Sequence, residues 1–252
     1  VSRFNRPRVV ICVPSAITAV ERRAVTEAAR RAGAVDARLI EQPLAAAIGS
    51  GLPINEPIGN LIVDVGGGTS ETALISMGGV VALEAVRVGS FDLDVAIQNF
   101  IKKEFGVAIG ERTAEEIKLT IGSASPYEGE LRAEVRGRHI SSGLPEVVVV
   151  SPSEIRGAID EPVSTMVDSV TSCLSKAPPE MAQDIIVQGI SLVGGGSLLK
   201  GFDTRLSEET DVPVHVVPNA LEAVVLGAGR CIESFESVRA MFMEDPNTRY
   251  RR

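Results

Sequence analysis

Two segments of this chain run an apolar stretch into three consecutive glycines and a hydroxyl residue. They are Ile62-Val63-Asp64-Val65-Gly66-Gly67-Gly68-Thr69 and Ser191-Leu192-Val193-Gly194-Gly195-Gly196-Ser197. Three glycines remove every Cβ from a turn, so backbone N–H groups can approach an anion closely and point at it. Each segment alone also reads as a tight turn with no ligand. Two of them, one carrying an acid at its strand end, favour a phosphate or nucleotide site. Asp64 sharpens that reading, because a carboxylate ending a buried strand is costly unless it is paired, hydrogen-bonded or near a cation. Beside a phosphate turn the natural cation is Mg²⁺, held through one or two carboxylates and several waters. The chain has no Gly-x-x-x-x-Gly-Lys-Ser/Thr, and no Gly-x-Gly-x-x-Gly opening a helix after a strand, so it is neither a P-loop protein nor a Rossmann dehydrogenase.

The pattern around these turns is α/β. Val9 to Val13 is a continuous apolar strand of the parallel-sheet kind. A helix from about Thr18, with Glu21 in capping-box spacing, ends at Gly33. Ala37 to Ile40 forms a second strand, and a helix from Pro43 is stopped by Gly49 and Gly51. Residues 52–59 read as a linker. Leu61 to Val65, Ser70 to Ser76 and Val80 to Val88 form a strand–turn–strand meander, followed by helices at about 92–105 and 113–122. Residues 123–150 alternate apolar and polar positions, with Leu131, Ala133 and Val135 on one face, as in a small antiparallel insert. Ile155, Ile159, Val163, Met166, Val170 and Leu174 mark a long amphipathic helix from Pro152, broken by Pro178-Pro179. A strand at Ile190 to Val193, a helix after Gly194 to Ser197, a strand at Val214 to Val217 and a helix from about Asn219 complete the pattern; the tail after Asp245 reads as polar and frayed.

Composition removes other classes. The longest apolar runs are strand-sized, so a spanning helix is not expected. Cys12, Cys173 and Cys231 are too few and too widely spaced for a disulfide framework or a zinc site, and His139 and His215 are the only histidines. A net charge of −8 argues against nucleic-acid binding over the whole surface. Residues 1–40 nevertheless hold eight arginines against three acids, a balance of +5 that leaves −13 for the rest. Such a basic start fits an anionic partner, or a basic face that meets an acidic neighbour in an oligomer.

Ile40-Glu41-Gln42-Pro43-Leu44-Ala45-Ala46-Ala47-Ile48-Gly49 and Asp64 to Thr69 resemble the connecting helix and second phosphate motif of the actin, sugar-kinase and heat-shock-chaperone superfamily. With Gly110-Glu111-Arg112-Thr113-Ala114-Glu115-Glu116-Ile117-Lys118, Pro178-Pro179-Glu180 and Leu192 to Leu199, the chain resembles the MreB family, the bacterial actins of rod-shaped cells, over about residues 6–232. The resemblance implies an α/β, actin-like (ribonuclease H-like) ATPase fold of two domains with the first incomplete. Residues 1–55 would be a remnant of the first subdomain, joined by a C-terminal helix at 231–243. Residues 56–122 and 163–230 would form the second large subdomain, and 123–162 a small insert. ATP and Mg²⁺ are the implied cofactors. Gly66, Gly67, Gly68 and Thr69 would cradle the β and γ phosphates, and Asp64 would hold Mg²⁺ through water. Glu115, Glu116 and Lys118 would contact ribose and adenine, Gly194, Gly195, Gly196, Ser197 and Leu198 would close over the adenosine, and Gly89 would pass near the nucleotide. Without that context, Glu115 and Lys118 read as an exposed ion pair.

Two departures bear on activity. Where the family has a second glutamate that positions the attacking water, this chain has Gln42, which can orient a water but is not a carboxylate base. The family's opening Asp-x-Gly hairpin has no counterpart before Val9, so one cleft wall is expected to be absent and the first sheet to show an unpaired edge. A missed upstream start, a truncation and a reduced paralogue all fit. The resemblance implies an ATP-dependent filament of head-to-tail protomers that organises wall synthesis, weakly ATP-hydrolysing if that loop is supplied. Its implied partners are further copies of itself, cell-wall elongation membrane proteins and an anionic membrane surface, and its implied place is the cytoplasm at the inner face of the membrane. Val1 and Phe4 among Arg3, Arg6 and Arg8 read either as the remains of a membrane loop or as an ordinary terminus. The rivals are a non-hydrolysing filament-interaction module and a kinase or chaperone of the same superfamily.

Overall fold

A computed structural model describes residues 7–243. The reading of Val1 and Phe4, and that of the tail after Asp245, lie outside the described residues.

The chain opens with β1 (Arg8–Val13), α1 (Ala19–Arg31), β2 (Asp36–Glu41) and α2 (Gln42–Ser50). β1 and β2 pair in parallel, from Arg8 opposite Asp36 to Val13 opposite Glu41. The Thr18 hydroxyl accepts from the Glu21 N–H while the Glu21 carboxylate accepts from the Thr18 N–H, the capping box its spacing calls for. Gly51, in the left-handed conformation at φ 75°, ends α2. Gly49 does not. It lies inside the helix, where α8 (Ala223–Glu233) crosses in direct backbone contact. A Cβ on Gly49 would lie 1.8 Å from the Ala223 carbonyl oxygen, and one on Gly227 would lie 1.8 Å from that of Ala45. That glycine is a crossing point.

The centre of the molecule is a five-stranded sheet in the order β10-β9-β3-β4-β5. Its strands are β3 (Asn60–Val65), β4 (Ser70–Ser76), β5 (Gly79–Val86), β9 (Ile190–Val193) and β10 (Val214–Val216). The first three form the antiparallel meander, and β9 runs parallel to both β3 and β10. Both faces are covered, and the side-chain period of two divides β3 between two cores. Leu61, Val63 and Val65 join the larger core with Leu74, Leu192 and the helices α3 (Ser90–Phe105), α4 (Glu111–Ile121) and α5 (Pro152–Ser175). Ile62 joins the second core with Ala73, Ile75, Val193, and residues of β1, β2, α2 and α8. Asp64 is on that second face, one step beyond Ile62.

The insert is a three-stranded antiparallel sheet of β6 (Val107–Ala108), β7 (Ala133–His139) and β8 (Pro145–Val150). Val135, Val148 and Val150 face inward, and Val147 and Val149 face solvent. Leu131 departs from its expected inward alternation: it precedes β7 and is exposed. α5 runs unbroken past residue 162, despite Pro162 in its interior. Two helices follow, the first unassigned by the sequence patterning and the second expected after the second glycine bend. α6 (Pro179–Gln188) occupies the stretch after the proline pair, and α7 (Phe202–Thr210) follows a short 3₁₀ turn at Gly195–Leu198. Instead of a helix at 231–243, α8 ends at Glu233 and turns follow, with Phe235 and Phe242 packed in the second core. The Met243 N–H donates to the Leu39 carbonyl, which ties this stretch back to β2. Among the described residues no helix is long and apolar enough to cross a membrane.

Candidate functional site

The parallel register of β3 and β9 places Asp64 opposite Val193, so both strands end at one level and both glycine bends emerge side by side. Between them opens a crevice of about 800 Å³. Asp64, Gly66, Gly67, Gly68 and Thr69 line one wall, and Gly194, Gly195, Gly196 and Leu198 another. Gln42 enters from the first turn of α2, and Glu115 and Lys118 from α4. The second bend needs its glycines. Gly194 has φ 83°, and a Cβ there would lie 2.3 Å from the Val65 carbonyl oxygen and 2.6 Å from Asp64 Oδ1. A Cβ on Gly196 would lie 2.3 Å from Val65 Cγ1. The two bends touch through their backbones.

Three residues expected at the site do not line the crevice. Gly89 stands behind the first bend, where a Cβ would lie 2.6 Å from the Gly67 carbonyl oxygen. Its absence of a side chain lets the Ser90 and Phe91 N–H groups donate to Gly66 and Gly67 at 3.0 and 2.8 Å. Ser197 is buried and its hydroxyl donates to the Gly194 carbonyl at 2.7 Å, so it closes the bend on itself. Glu116 points outward and pairs with Arg112 at 3.2 Å on the exposed side of α4. Lys118 does not form an exposed pair with Glu115: its side chain is 8 % exposed and its Nζ lies 2.9 Å from the Asp94 carboxylate.

Asp64 has further buried acids close by. Asp64 is opposite Glu71 in the β3–β4 ladder, so the two carboxylates share one face of the sheet. Burial raises the Asp64 carboxyl to about 6. Burial also raises Glu71, to about 7, against hydrogen bonds from the Ser15 N–H and hydroxyl and with a smaller push from Asp64 and Glu41. The Glu41 carboxyl is raised too, again chiefly by burial. A desolvated carboxylate facing a crevice between glycine bends, its shift due to burial alone, fits a divalent cation, whose charge would favour the ionised form and counter that shift.

The rest of the lining is mostly apolar: Pro14, Phe91, Leu93, Leu119, Leu199, Leu221 and Val224, with Ser90 and Lys200 among them. Phe91 rests on the first bend, since a Cβ on Gly67 would lie 2.5 Å from its ring. None of these residues was legible as a site residue, because apolar side chains in amphipathic helices read as core. Glu71, which lines a neighbouring hollow with Pro14, Ile17 and Arg87 and not the crevice itself, was legible in principle, as an acid within the otherwise apolar and hydroxylic run Ser70 to Ser76.

A twisted sheet with a strand-end acid between two glycine bends, one crossed-helix core behind it and a small sheet inserted beyond, defines an actin-like fold. Within that class the chain belongs to the MreB/Mbl family: the family model described as MreB/Mbl protein matches residues 1–240. It is 46% identical over 230 residues to the cell shape-determining protein MreB of Escherichia coli K12, which covers 91% of this chain and 66% of that protein. It is 40% identical over 235 residues to the cell shape-determining protein Mbl of Bacillus subtilis 168, covering 93% and 71%. The crystal structure of MreB5 of Spiroplasma citri bound to ADP superposes with a TM-score of 0.88 at 34% identity, over 91% of this chain and 70% of that one. A second structure of that protein holds AMPPNP. The chain thus spans about two thirds of the length of the curated relatives it matches.

Proposed function

We propose that the crevice binds a Mg²⁺-chelated adenine nucleotide and that the chain acts in a cytoskeletal filament that determines rod cell shape. One observation carries this: Asp64 and both glycine bends converge on one crevice that also offers an apolar surface and the polar side chains Gln42 and Glu115. The apolar lining from Leu93, Leu119, Leu198, Leu221 and Val224 suits a base, and the Gly66–Gly68 turn with Thr69 suits phosphates, to which the Thr69 hydroxyl and the N–H groups after Gly66, whose own N–H donates to the Thr69 carbonyl, can donate. Asp64 would hold the cation through water, and Glu115, exposed on α4, would meet the sugar hydroxyls. When bound, Mg²⁺ neutralises phosphate charge and polarises the terminal phosphoryl group. Gln42 can hold a water through its carbonyl and amide but cannot take its proton, so any hydrolysis is slow and depends on positioning.

The same reading divides the chain into a first-subdomain part at 1–55, a large subdomain at 56–122 and 163–230, and an insert at 123–162. It places filament protomers head to tail, with cell-wall elongation proteins and an anionic lipid surface as further partners at the inner face of the membrane. Gln42 in place of a carboxylate also supports a second reading, a non-hydrolysing module that joins filaments of a complete relative.

Titration with a fluorescent ADP analogue tests the site. Saturable binding that requires Mg²⁺, and that loses its Mg²⁺ dependence in Asp64→Asn, is expected. No binding by the unaltered chain at millimolar nucleotide would refute the proposal. Co-sedimentation with a complete relative, with and without phosphate release, separates the two filament roles.

A further inference from the structure

β8 is an edge strand of the insert, and the register of its hairpin decides which of its backbone groups are free. The His139 N–H donates to the Leu144 carbonyl at 2.9 Å, so these residues form a hydrogen-bonded pair. In an antiparallel ladder such pairs alternate with non-bonded ones. Along the unshifted register, Glu146, Val148 and Val150 therefore turn their N–H and C=O groups toward β7. Val147 and Val149 turn theirs outward, where the described residues supply no further strand. Pro145 has no N–H, and the Ser151 N–H is taken by the Glu154 carboxylate at 2.8 Å. What remains open is a short window with two free donors and their carbonyls, a template for another strand.

The side chains of that window are as particular as its backbone. Val147 and Val149 are 54 % and 47 % exposed. Arg136, opposite Val147, and Arg138, opposite Pro145, share the outward face and are exposed. Neither arginine has a hydrogen-bond or ion-pair partner among the described residues. Non-bonded pairs bring side chains close, so the Arg136 stem lies beside Val147 and its guanidinium can reach past it. Glu134, the acid of this face, stands at the other end, opposite Val149.

Three kinds of occupant could cover a bare edge. A lipid surface suits valines and arginines but leaves the free N–H and C=O groups unsatisfied in hydrocarbon. A second copy of β8 satisfies the backbone but brings two more arginines to a patch already short of acids. An extended segment with acids at alternate positions satisfies both. We infer that the free edge of β8 is a docking site for an extended acidic segment of a partner protein, which adds an antiparallel fourth strand to the insert. Its outward side chains are acids that meet Arg136 and Arg138 across Val147. Its inward ones are apolar, on the face of Val148, where Glu146 disfavours an acid. The inference is independent of the nucleotide reading.

The probe is a fluorescent, end-blocked peptide of about seven residues that alternates valine and glutamate, titrated against the whole chain. Saturable binding is expected, about tenfold weaker in Arg136→Glu. Guest residues opposite Val147 and Val149 share their face, so the glutamates carry the bonding N–H groups. N-methylation at the glutamates keeps every charge and should abolish binding, a control that needs no variant to fold. Hydrogen exchange supplies the positional readout. In the free chain the Val147 and Val149 amides should exchange faster than those of Glu146 and Val148, and saturating peptide should slow the first two by about tenfold or more. No peptide binding at millimolar concentration overturns the inference. So does binding that survives N-methylation, is untouched by Arg136→Glu, or leaves Val147 and Val149 exchange unchanged. Slowing of those amides by phosphatidylglycerol vesicles and not by peptide would overturn it in favour of a membrane. Slowing that grows with chain concentration as the chain dimerises would overturn it in favour of a second copy.

Discussion

At the residue scale the site is held together by what its buried acids lack. Asp64 rises from its ordinary 3.8 to about 6 through burial, and Glu71 from 4.5 to about 7. A carboxyl raised on folding binds its proton more tightly in the folded state. Its stabilising effect is full below the unfolded value and is lost as pH rises through the folded one. Ligand-free chain is thus expected to lose stability from about pH 4 to pH 7, and thermal melts across that window check it. The rise at Asp64 corresponds to about 3 kcal/mol as an upper bound. Asp64→Asn should flatten the pH profile and stabilise the empty chain at pH 8, while weakening Mg²⁺-dependent nucleotide binding. A less stable variant at pH 8 would contradict this. At Gly194 a methyl group meets backbone and the Asp64 carboxylate at φ 83°, so Gly194→Ala is expected to lower stability by about 1–3 kcal/mol in urea titrations. Sequence reasoning reached Asp64 and the glycine turns because chemistry concentrates there in contiguous, unusual residues. It did not reach Asp94 as the partner of Lys118, which lies 24 positions away, because helix spacing reports only neighbours within one element.

At the scale of elements, caps and periods were readable and crossings were not. The Thr18–Glu21 box, the six apolar positions of α5 and the apolar run of β3 all depend on local sequence, and each formed as that sequence required. α5 carries a second box, Ser151 with Glu154, and Ser151→Ala is expected to reduce stability by about 1 kcal/mol, measured by urea unfolding. Gly49 was misread as a stop because a glycine late in an apolar helix looks the same whether it ends the helix or admits another backbone. Only α8, some 170 positions on, decides between them. The stretch 180–188 offered too short an amphipathic pattern between a proline pair and a strand to be read as α6. Gly49→Val would force α2 and α8 apart, and overpacking of this kind costs about 1–3 kcal/mol or more. Faster hydrogen exchange in β1, β2 and α2, with β7 and β8 protected, is the expected outcome.

At the scale of the whole molecule, a ligand bridging both bends should tighten the fold that presents them. Nucleotide at 100 times its dissociation constant adds about 2.7 kcal/mol by mass action, visible as a raised melting temperature with MgADP and none with Mg²⁺ alone. The class of fold was legible because its motifs recur in order along the chain. How the first half packs on one face of the central sheet was not. That packing has a cost for the molecule in solution. The central strand has no watery side: Leu61, Val63 and Val65 belong to one core and Ile62 to the other. If the first half peels away, Ile62, Ala73, Ile75 and Val193 are bared together as a flat oily plane on an otherwise intact slab. Such a half-open molecule is adhesive, so clumping should begin when the first half loosens, well before the slab itself melts.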